Sequence, residues 1–327
     1  MISQKQLIRL LNKPGASSGT VLGEALGVSR VAVQKKIQAL IDNGLPIDAV
    51  PGKGYSLNEG VVLLDELAIE SEVAKKESLS GIEVLQSVES TNSYLLSKEI
   101  RLNEARVCLA EAQSSGRGRR GNDWQSAPYR NIMMSLSWGF DHWPATITGL
   151  GLAVALSVVE TLNAEYGLDV KIKWPNDLMV ESDGRNDKLG GILVDVAGES
   201  SGACNVVIGL GLNVHQPDWS AENGGAYQWQ DLAGLGVSAD RNQLCAKLID
   251  ALIEMLDGFS MTGFESMMGR WNALSSYANK VIRVGRDDDF IQGMMEGVDA
   301  SGALLVRDKD GVQHQFLEST VSVRLVS

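Results

Sequence analysis

The hydrophobic pattern changes twice along the chain, and these changes divide it into three parts with different secondary structure. The first 62 residues carry short apolar stripes at helical spacing. From residue 63 to 274, apolar runs typical of strands alternate irregularly with helical patterns. From residue 275 to 327, short strands are separated by Ser-Gly and Asp-Gly turns, which is typical of a small β-barrel. We therefore predict an α+β protein with three domains, 1–62, 63–274 and 275–327.

The first part has the pattern of a winged helix-turn-helix. Its helix-turn-helix would run from about Gly19 to Gln38, with a break at Gly27 and with Ser29 as the N-cap of the second helix. The basic turn from Pro51 to Tyr55 resembles a wing. Side chains able to reach phosphates and base edges are those of Ser29, Arg30, Gln34, Lys35, Lys36 and Lys53. A solvated face on an ordinary small helical domain is the alternative interpretation.

The charge is divided unevenly between this head and the rest of the chain. The whole chain carries a net charge of −12, but its first 60 residues hold seven Lys and Arg against four Asp and Glu, a balance of +3. The other 267 residues therefore carry −15. A basic head on an acidic body indicates two parts with different partners, and DNA fits the basic one.

Neither a membrane segment nor a metal site is predicted. The most apolar window, Ile147 to Val159, is interrupted by Gly149 and Gly151 and has the pattern of a buried helix. The three cysteines, Cys108, Cys204 and Cys245, are too few and too widely spaced for a disulfide framework or a zinc site. We therefore expect buried free thiols in the reducing cytoplasm.

A loop rich in glycine and arginine, Gly116-Arg117-Gly118-Arg119-Arg120-Gly121, follows a predicted strand over 107–112. It fits the G-x-G-x-x-G pattern of dinucleotide-binding folds. In those folds the loop opens directly into a helix, which the residues from Asn122 to Pro128 cannot begin smoothly. Glycines permit close backbone approach, and guanidinium groups grip phosphate oxygens. We interpret the loop as a mobile cationic lid over a phosphate; an RNA-binding surface patch is the alternative.

Four further segments place polar side chains at the ends of predicted strands. Taken singly, two of them also have a structural explanation, one as a turn packed on Trp174 and the other as an N-cap at Ser90. In the segment that begins at Lys188, two glycines follow the lysine as it enters a buried strand. In the segment that begins at Gly209, the glycines of the strand permit close approach of another group to the backbone. The segments are Ser90-Thr91-Asn92, Lys173-Trp174-Pro175-Asn176-Asp177, Lys188-Leu189-Gly190-Gly191-Ile192-Leu193 and Gly209-Leu210-Gly211-Leu212-Asn213.

In this order, these segments resemble the family of bifunctional biotin protein ligases and biotin operon repressors, over essentially the whole chain. The resemblance implies an N-terminal winged helix-turn-helix, a central mixed-sheet α/β ligase domain like those of class II synthetases, and a C-terminal SH3-like β-barrel. It implies a biotin–[biotin carboxyl-carrier protein] ligase that converts biotin and ATP, with Mg²⁺, to biotinyl-5′-AMP and pyrophosphate. Biotin would then pass to a lysine of the biotin carboxyl carrier protein of acetyl-CoA carboxylase.

The same resemblance implies the regulation and location of the protein. Biotinyl-AMP would promote a homodimer that binds the biotin operator DNA and represses biotin synthesis. The protein would be cytoplasmic, without membrane contact and without a permanently bound cofactor or metal.

The site residues follow from the resemblance, position by position. Catalytic roles fall to Lys188, Asp177 and Arg119, with Lys188 beside the biotin carboxyl group and Asp177 beside the carrier lysine. Nucleotide contacts fall to Trp124, Asn176 and Asn213. Biotin contacts fall to Ser90, Thr91, Asn92, Gln113, Arg117, Gly118, Arg119 and Lys188.

The chain departs from the family at one point and leaves two rivals open. Where relatives usually continue the loop with arginine and lysine, this chain has Asn122-Asp123, so weaker adenylate binding, or weaker coupling to dimerisation, is expected. A lipoate-type ligase would share the adenylation chemistry and recognise another acid. A pure winged-helix sensor would bind ligand without turnover, but the loop arginines together with Lys188 and Asp177 favour an enzyme.

Overall fold

The structure of the protein is a computed structural model. It describes residues 4–57, 62–144, 147–182, 184–198, 202–215, 229–286, 289–317 and 321–326. The chain divides into two units, Met1–Leu63 with Ala127–Arg130, and Leu64–Ser126 with Asn131–Ser327.

The N-terminal unit is a winged helix-turn-helix, as the sequence predicted. Its elements are the helices α1 (Gln4–Leu11), α2 (Gly19–Leu26) and α3 (Arg30–Asp42) and the antiparallel strands β1 (Ile47–Val50) and β2 (Gly54–Leu57). The predicted N-cap is confirmed, because Ser29 Oγ accepts a hydrogen bond from the Ala32 amide at 3.2 Å. Gly27 ends α2 with a φ of 65°, a left-handed conformation that glycine adopts without strain. The stripe Val33, Ile37 and Leu40 is buried in the core of the unit.

The second unit is built on a seven-stranded mixed sheet. Strands β3 and β4 are parallel, and every other neighbouring pair is antiparallel. Along the sheet the order is β3-β4-β5-β9-β8-β7-β6. The strands are β3 (Leu79–Leu85), β4 (Ala105–Ala110), β5 (Ile132–Phe140), β6 (Lys171–Lys173), β7 (Asp177–Ser182), β8 (Arg185–Gly198) and β9 (Cys204–Leu212).

The hairpin of β7 and β8 differs from the sequence prediction. From the sequence we predicted only that Lys188 leads into a buried strand, but that strand, β8, already begins at Arg185 and pairs with all of β7. The first residues of β8 are polar and lack a strand pattern, so the cross-strand hydrogen bonds, rather than local propensity, hold them extended. As a consequence Lys188 lies within a strand.

Helices cover both faces of this sheet. The helices of the second unit are α4 (Glu66–Glu72), α5 (Thr91–Leu96), α6 (Leu150–Tyr166), α7 (Arg241–Thr262) and α8 (Met268–Ala273). Helices α6 and α7 pack on each other over one face. Leu95 of α5 packs with Cys108 and Val207 on the other face. Because strand side chains alternate between faces, Gly209 and Gly211 point to the α5 face with Val207.

The apolar window near residue 150 is a core helix, as predicted. By length and composition alone, Ile147–Tyr166 could also span a membrane, but most of its apolar window is buried. Leu152, Val154, Leu156, Val159 and Leu162 all belong to the main hydrophobic core.

The C-terminal part is a small antiparallel sheet, as expected for the barrel. Its strands are β10 (Val281–Arg286), β11 (Asp289–Val298), β12 (Leu304–Asp308), β13 (Gln313–Phe316) and β14 (Ser322–Leu325), in the order β13-β12-β11-β10-β14. Ile282, Val284 and Val306 join the same hydrophobic core as the mixed sheet. The indole of Trp174 donates a hydrogen bond to Gly302 O at 3.1 Å, which ties the β6–β7 turn to this part.

Candidate active site

A cavity opens on the α5 face of the mixed sheet, above the glycines of β8 and β9. A Cβ at Gly209 would lie 2.3 Å from Asn92 Oδ1, and one at Gly211 would lie 2.3 Å from a ring atom of Trp124. Contacts that short are impossible, so glycine at these two positions is what lets Asn92 and Trp124 lie flat on the sheet. The strand glycines picked out from the sequence therefore form the floor of the cavity.

One end of the cavity is a neutral, hydrogen-bonding corner at the start of α5. Ser90 caps the helix, its Oγ accepting from the Ser93 amide at 3.4 Å, so the N-cap interpretation holds alongside a place in the cavity lining. Thr91 donates through its amide (2.8 Å) and its hydroxyl (3.1 Å) to Gln113 Oε1. Ser135 Oγ lies 2.5 Å from Asn92 Oδ1. The corner thus contains hydroxyl and amide groups whose positions are fixed by hydrogen bonds to one another.

The other end of the cavity is cationic and lies at the turn between β6 and β7. Lys188 Nζ is 2.5 Å from Asp177 Oδ1, and Lys173 Nζ is 3.6 Å from Asp177 Oδ2, so one carboxylate faces two ammonium groups. The Trp174–Pro175 peptide bond is cis. The Asn176 amide donates to Ile192 O and accepts from Arg119 Nη1 at 3.3 Å. Positive charge therefore gathers beside the neutral corner.

The glycine-arginine loop lies along the cavity, and no helix follows it. Its middle forms a single 3₁₀ turn, Arg119–Gly121, in which Arg120 has a left-handed φ of 58°. The Gly118 amide donates to Asn122 O at 2.7 Å, and the Trp124 amide donates to Gly116 O at 2.8 Å, so the loop folds back on itself. This geometry rules out the dinucleotide-binding interpretation, because the loop does not open directly into a helix; the chain from Asn122 to Asn131 is non-helical.

Trp124 lines the cavity beside the cationic end, with Trp229 stacked on it. The rings of Trp124 and Trp229 are stacked, with centroids 6.1 Å apart and planes at 26°. Lys188 Nζ lies 5.3 Å from the centre of the Trp124 ring. The buried Trp124 Nε1 has no hydrogen-bond partner among the described residues. A flat aromatic surface is suited to stacking with a heteroaromatic ring such as adenine.

The cavity brings together eleven of the twelve ligand-site residues named from the sequence. Its lining includes Ser90, Thr91, Asn92, Gln113, Arg117, Gly118, Arg119, Trp124, Asn176, Asp177 and Lys188. The exception is Asn213, which is fully buried and donates to the backbone carbonyls of Lys188 (3.4 Å) and Gln230 (3.2 Å). Asn213 therefore holds the backbone behind Lys188 and does not line the cavity.

Sequence reasoning missed four side chains at this site. Lys173 was noted as part of its turn but not as a second partner of Asp177. Ser135 is one of two buried serines in an otherwise apolar strand, and these buried hydroxyl groups were the signal available. Trp229 and Asp195 carried no local signal, because they reach the site only through the pairing of distant segments.

The DNA-binding residues named from the sequence lie together on the winged helix. Arg30, Gln34 and Lys35 are exposed along α3, and Lys53 is exposed in the turn of the β1–β2 hairpin. Lys36 is half-buried, and the Ser29 hydroxyl is occupied by its cap. An apolar side chain also points outward from this face of α3, since Val31 is 61% exposed.

The cysteines take no part in the site. All three are free and buried, as predicted. Burial raises the pKa of the Cys108 and Cys245 thiols to about 12, and it also raises the pKa of Cys204. Thiols that stay protonated at neutral pH are poor nucleophiles, so the cavity works without cysteine chemistry.

Comparison with known proteins decides the family. Residues 84–213 match the biotin/lipoate A/B protein ligase family, residues 3–56 match a helix-turn-helix domain, and residues 278–324 match the biotin protein ligase C-terminal domain. The chain is 37% identical over 320 residues to the bifunctional ligase/repressor BirA of Salmonella typhimurium, covering 97% of this chain and 96% of that protein. The chain belongs to the BirA family of bifunctional ligase/repressors. The Escherichia coli member is 36% identical over 321 residues, covering 98% of this chain and 96% of that protein.

A solved structure supports the fold of this BirA family member. The biotin protein ligase from Aquifex aeolicus, in complex with biotin and ATP, superposes with a TM-score of 0.63 at 22% identity. The superposed region covers 76% of this chain and 100% of the Aquifex aeolicus chain. The two bacterial relatives and the matched family models, rather than this superposition, confirm the resemblance drawn from the sequence, with its ligase and its helix-turn-helix repressor parts.

Proposed function

We propose that the cavity joins biotin to ATP, that the adenylate then biotinylates a carrier protein, and that the head represses transcription when the adenylate is bound. The observation that carries this proposal is the meeting, in one cavity, of a neutral hydrogen-bonding corner with a cluster of cations beside a tryptophan wall. The names of the curated relatives, ligase and repressor, support both halves of the proposal.

The neutral corner fits the cyclic urea of biotin. The urea has two N–H donors and one carbonyl acceptor, and each such group left unpaired on burial costs about 1–3 kcal/mol. Thr91, Asn92 and Gln113 supply hydroxyl and amide groups of both kinds. The urea would bind among them, leaving the carboxylate tail directed toward Lys188.

The cationic end fits the chemistry of adenylation. A biotin carboxylate oxygen attacks the α-phosphorus of ATP, a new O–P bond forms, and the bond to pyrophosphate breaks. Two anions must approach each other, so Lys188, Lys173 and Arg119 would lower the barrier mainly by holding them together and offsetting their repulsion.

Magnesium would enter with ATP. The described residues contain no group of three or more His, Cys, Asp or Glu side chains that could hold a metal ion. Two carboxylates line the cavity, those of Asp123 and Asp177, and Asp177 already faces two lysines. A donor set of this kind fits a Mg²⁺ ion held by the triphosphate and water, which is how Mg²⁺ commonly binds nucleotides.

In the transfer step a carrier lysine attacks the acyl carbon of the mixed anhydride. An amide N–C bond forms, the C–O bond to AMP breaks, and the amine loses a proton. Asp177 would take up that proton, as expected for a general base beside the nucleophile. Its pairing with Lys188 and Lys173 fixes the carboxylate at this place in the cavity.

Pyrophosphate exchange tests the adenylation half of the proposal. The protein is incubated with ATP, Mg²⁺ and labelled pyrophosphate, with biotin, with lipoate, or with neither acid. We expect label to enter ATP with biotin alone. Exchange driven by lipoate would identify a lipoate-type ligase, and ligand binding without exchange would identify a sensor.

Replacing Arg119 by glycine is expected to release biotinyl-AMP before transfer. Arg119 lines the cavity and bonds Asn176 at 3.3 Å, so its loss removes a charged contact beside the phosphate, and we expect the dissociation rate to rise about tenfold. The sign is biotin on the lysines of an added bystander such as serum albumin, detected with streptavidin. Arg101→Gly, at an exposed arginine paired with Glu104, is the matched control. Equal bystander labelling by the two variants would contradict a retaining role for Arg119.

Operator binding by the head is expected to depend on biotinyl-AMP through dimerisation. One head with a balance of +3 neutralises few phosphates, whereas two heads on one duplex add their contacts. We expect biotinyl-AMP to tighten binding to biotin operator DNA by at least about tenfold and to shift sedimentation from monomer to homodimer. Equal DNA affinity with and without the adenylate would refute this coupling. A protein that works on operator DNA, the carrier and ATP would be cytoplasmic.

A further inference from the structure

Asp195 lies on β8 beside the cavity, and its carboxylate contacts two ligand-site side chains at once. Asp195 Oδ2 accepts from Asn92 Nδ2 at 3.0 Å. The Arg117 guanidinium donates to both carboxylate oxygens, Nη1 to Oδ2 at 3.2 Å and Nη2 to Oδ1 at 3.3 Å. The neutral corner and the first arginine of the loop are therefore held by one anionic group.

This contact fixes which way the Asn92 amide faces. The two groups next to Asn92 Nδ2 are the Asp195 carboxylate and Leu193 O, at 3.0 and 3.4 Å, and both can only accept hydrogen bonds. The nitrogen of the amide must therefore point at them, and the oxygen must point into the corner. Gly209 leaves the amide no side-chain atom to push it away from the sheet.

The orientation passes from Asn92 to the hydroxyl groups of the corner. Asn92 Oδ1 can only accept, so the single hydroxyl hydrogen of Ser135, at 2.5 Å, is committed to it. Ser135 Oγ then has only lone pairs to offer Thr91 Oγ1, 2.7 Å away. The Thr91 hydroxyl is thereby a donor, either to Ser135 or to Gln113. One carboxylate thus sets the orientation of the Asn92 amide and, through it, the donor roles of the Ser135 and Thr91 hydroxyl groups.

We propose that Asp195 is a positioning residue for biotin, orienting Asn92 and, through Ser135, Thr91, while it holds Arg117 at the edge of the cavity. This inference rests on the proposed function of the cavity as a biotin site. Asp195 does not touch the reacting atoms, so it acts on binding rather than on bond formation. Its pairing with Arg117 alone is a weak contribution, because the Arg117 side chain is 42% exposed and exposed ion pairs are worth little.

Asp195→Asn is the most selective test, because it keeps the size of the side chain. The substitution removes the negative charge and replaces one of the two acceptor oxygens by an NH₂ group. That group opposes Arg117 Nη2 in one orientation of the amide, and both Asn92 Nδ2 and Arg117 Nη1 in the other. We expect KM for biotin to rise about tenfold with kcat nearly unchanged, the sign of lost binding that is shared by ground and transition states. KM for ATP should stay the same.

Two further variants make the result specific. Asp195→Glu keeps both acceptor oxygens and the charge, and we expect it to restore most of the affinity for biotin. Glu89→Gln removes a charge from an exposed carboxylate next to Ser90, and we expect its kinetics to match those of the wild type. Melting temperatures of all three variants are measured alongside biotin-dependent pyrophosphate exchange.

The outcomes separate this inference from the function on which it rests. No exchange by the wild-type protein with biotin would remove the proposed function itself. Active wild type with an unchanged KM for biotin in Asp195→Asn would overturn the role of Asp195 alone. A fall in kcat with a lowered melting temperature and no rescue by Asp195→Glu would also overturn it, because it would show a merely structural residue.

Discussion

Replacing Lys188 by alanine is expected to slow biotinyl-AMP formation by about one to two orders of magnitude while the fold persists. The Lys188 ammonium lies in the cavity, 2.5 Å from Asp177 and 5.3 Å from the centre of the Trp124 ring, where the biotin carboxylate and the α-phosphate would meet. A lost hydrogen bond to a charged group costs about 1.5–3 kcal/mol, which corresponds to that range of rate.

Biotin-dependent pyrophosphate release measures this effect, with Lys171→Ala as the matched control. Lys171 is also a lysine on this sheet edge, but it pairs with the exposed Asp169 at 2.7 Å and is absent from the cavity lining. We expect the control to keep wild-type activity and both variants to keep the wild-type circular dichroism spectrum. Ordinary pyrophosphate release by a well-folded Lys188→Ala protein would show that the positive field comes from other residues.

Replacing Glu111 by alanine is expected to lower the free energy of unfolding by about 3–5 kcal/mol, because it leaves a buried arginine without its partner. Glu111 is 0% exposed, and its two oxygens accept from Arg241 Nη1 at 2.8 Å and Nη2 at 3.1 Å. It also accepts from the Leu64 amide at 2.7 Å. The change therefore leaves the Arg241 guanidinium and the Leu64 amide buried without the acceptor that Glu111 provides.

Urea unfolding followed by circular dichroism measures this loss. Glu160→Ala provides the comparison, because Glu160 pairs with Arg270 at 2.9 Å on the surface, where a pair is worth about 0–1 kcal/mol. We expect a large drop in the midpoint for Glu111→Ala and little change for Glu160→Ala. Similar midpoints for the two would mean that water reaches Arg241 once Glu111 is gone.

The head could be predicted almost completely from its sequence, because its signals are local. Ser29 caps the helix that follows it, Gly27 ends the helix before it, and the stripe from Val33 to Leu40 marks the buried side. Each of these features depends on residues within about two turns, and helices are specified over that distance.

The hairpin of β7 and β8 could not be predicted in the same way. The start of β8, Arg185-Asn186-Asp187-Lys188, is polar and has no strand propensity, and it becomes a strand by pairing with β7. The same limit applies to the site. Lys188 and Asp177 stood out as charged residues beside strand patterns. Asp195, by contrast, matters only because folding brings it to Asn92 and Arg117, which lie 103 and 78 positions earlier in the chain.

Asn213 shows a different limit of motif reasoning. The resemblance places it near the nucleotide, a role that stays a prediction; in the structure its side chain is buried and donates to the backbone carbonyls of Lys188 and Gln230. A polar residue at the end of a glycine-containing strand can face the ligand or can support the backbone that does. The alternation of side chains along the strand does not decide between these two roles, because a strand end is free to twist.

Transfer of biotin to a carrier lysine tests the central proposal most directly. The full-length protein is incubated with ATP, Mg²⁺ and a biotin carboxyl carrier domain, with biotin or lipoate supplied, and the carrier is weighed by mass spectrometry. We expect one biotinyl group on one carrier lysine, and only when ATP is present. With the Lys188→Ala variant and the same short incubation time, we expect no biotinyl group on the carrier. A carrier that gains lipoyl instead, or that gains nothing while the protein still binds biotin, would contradict the assignment of this cavity as a biotin protein ligase site.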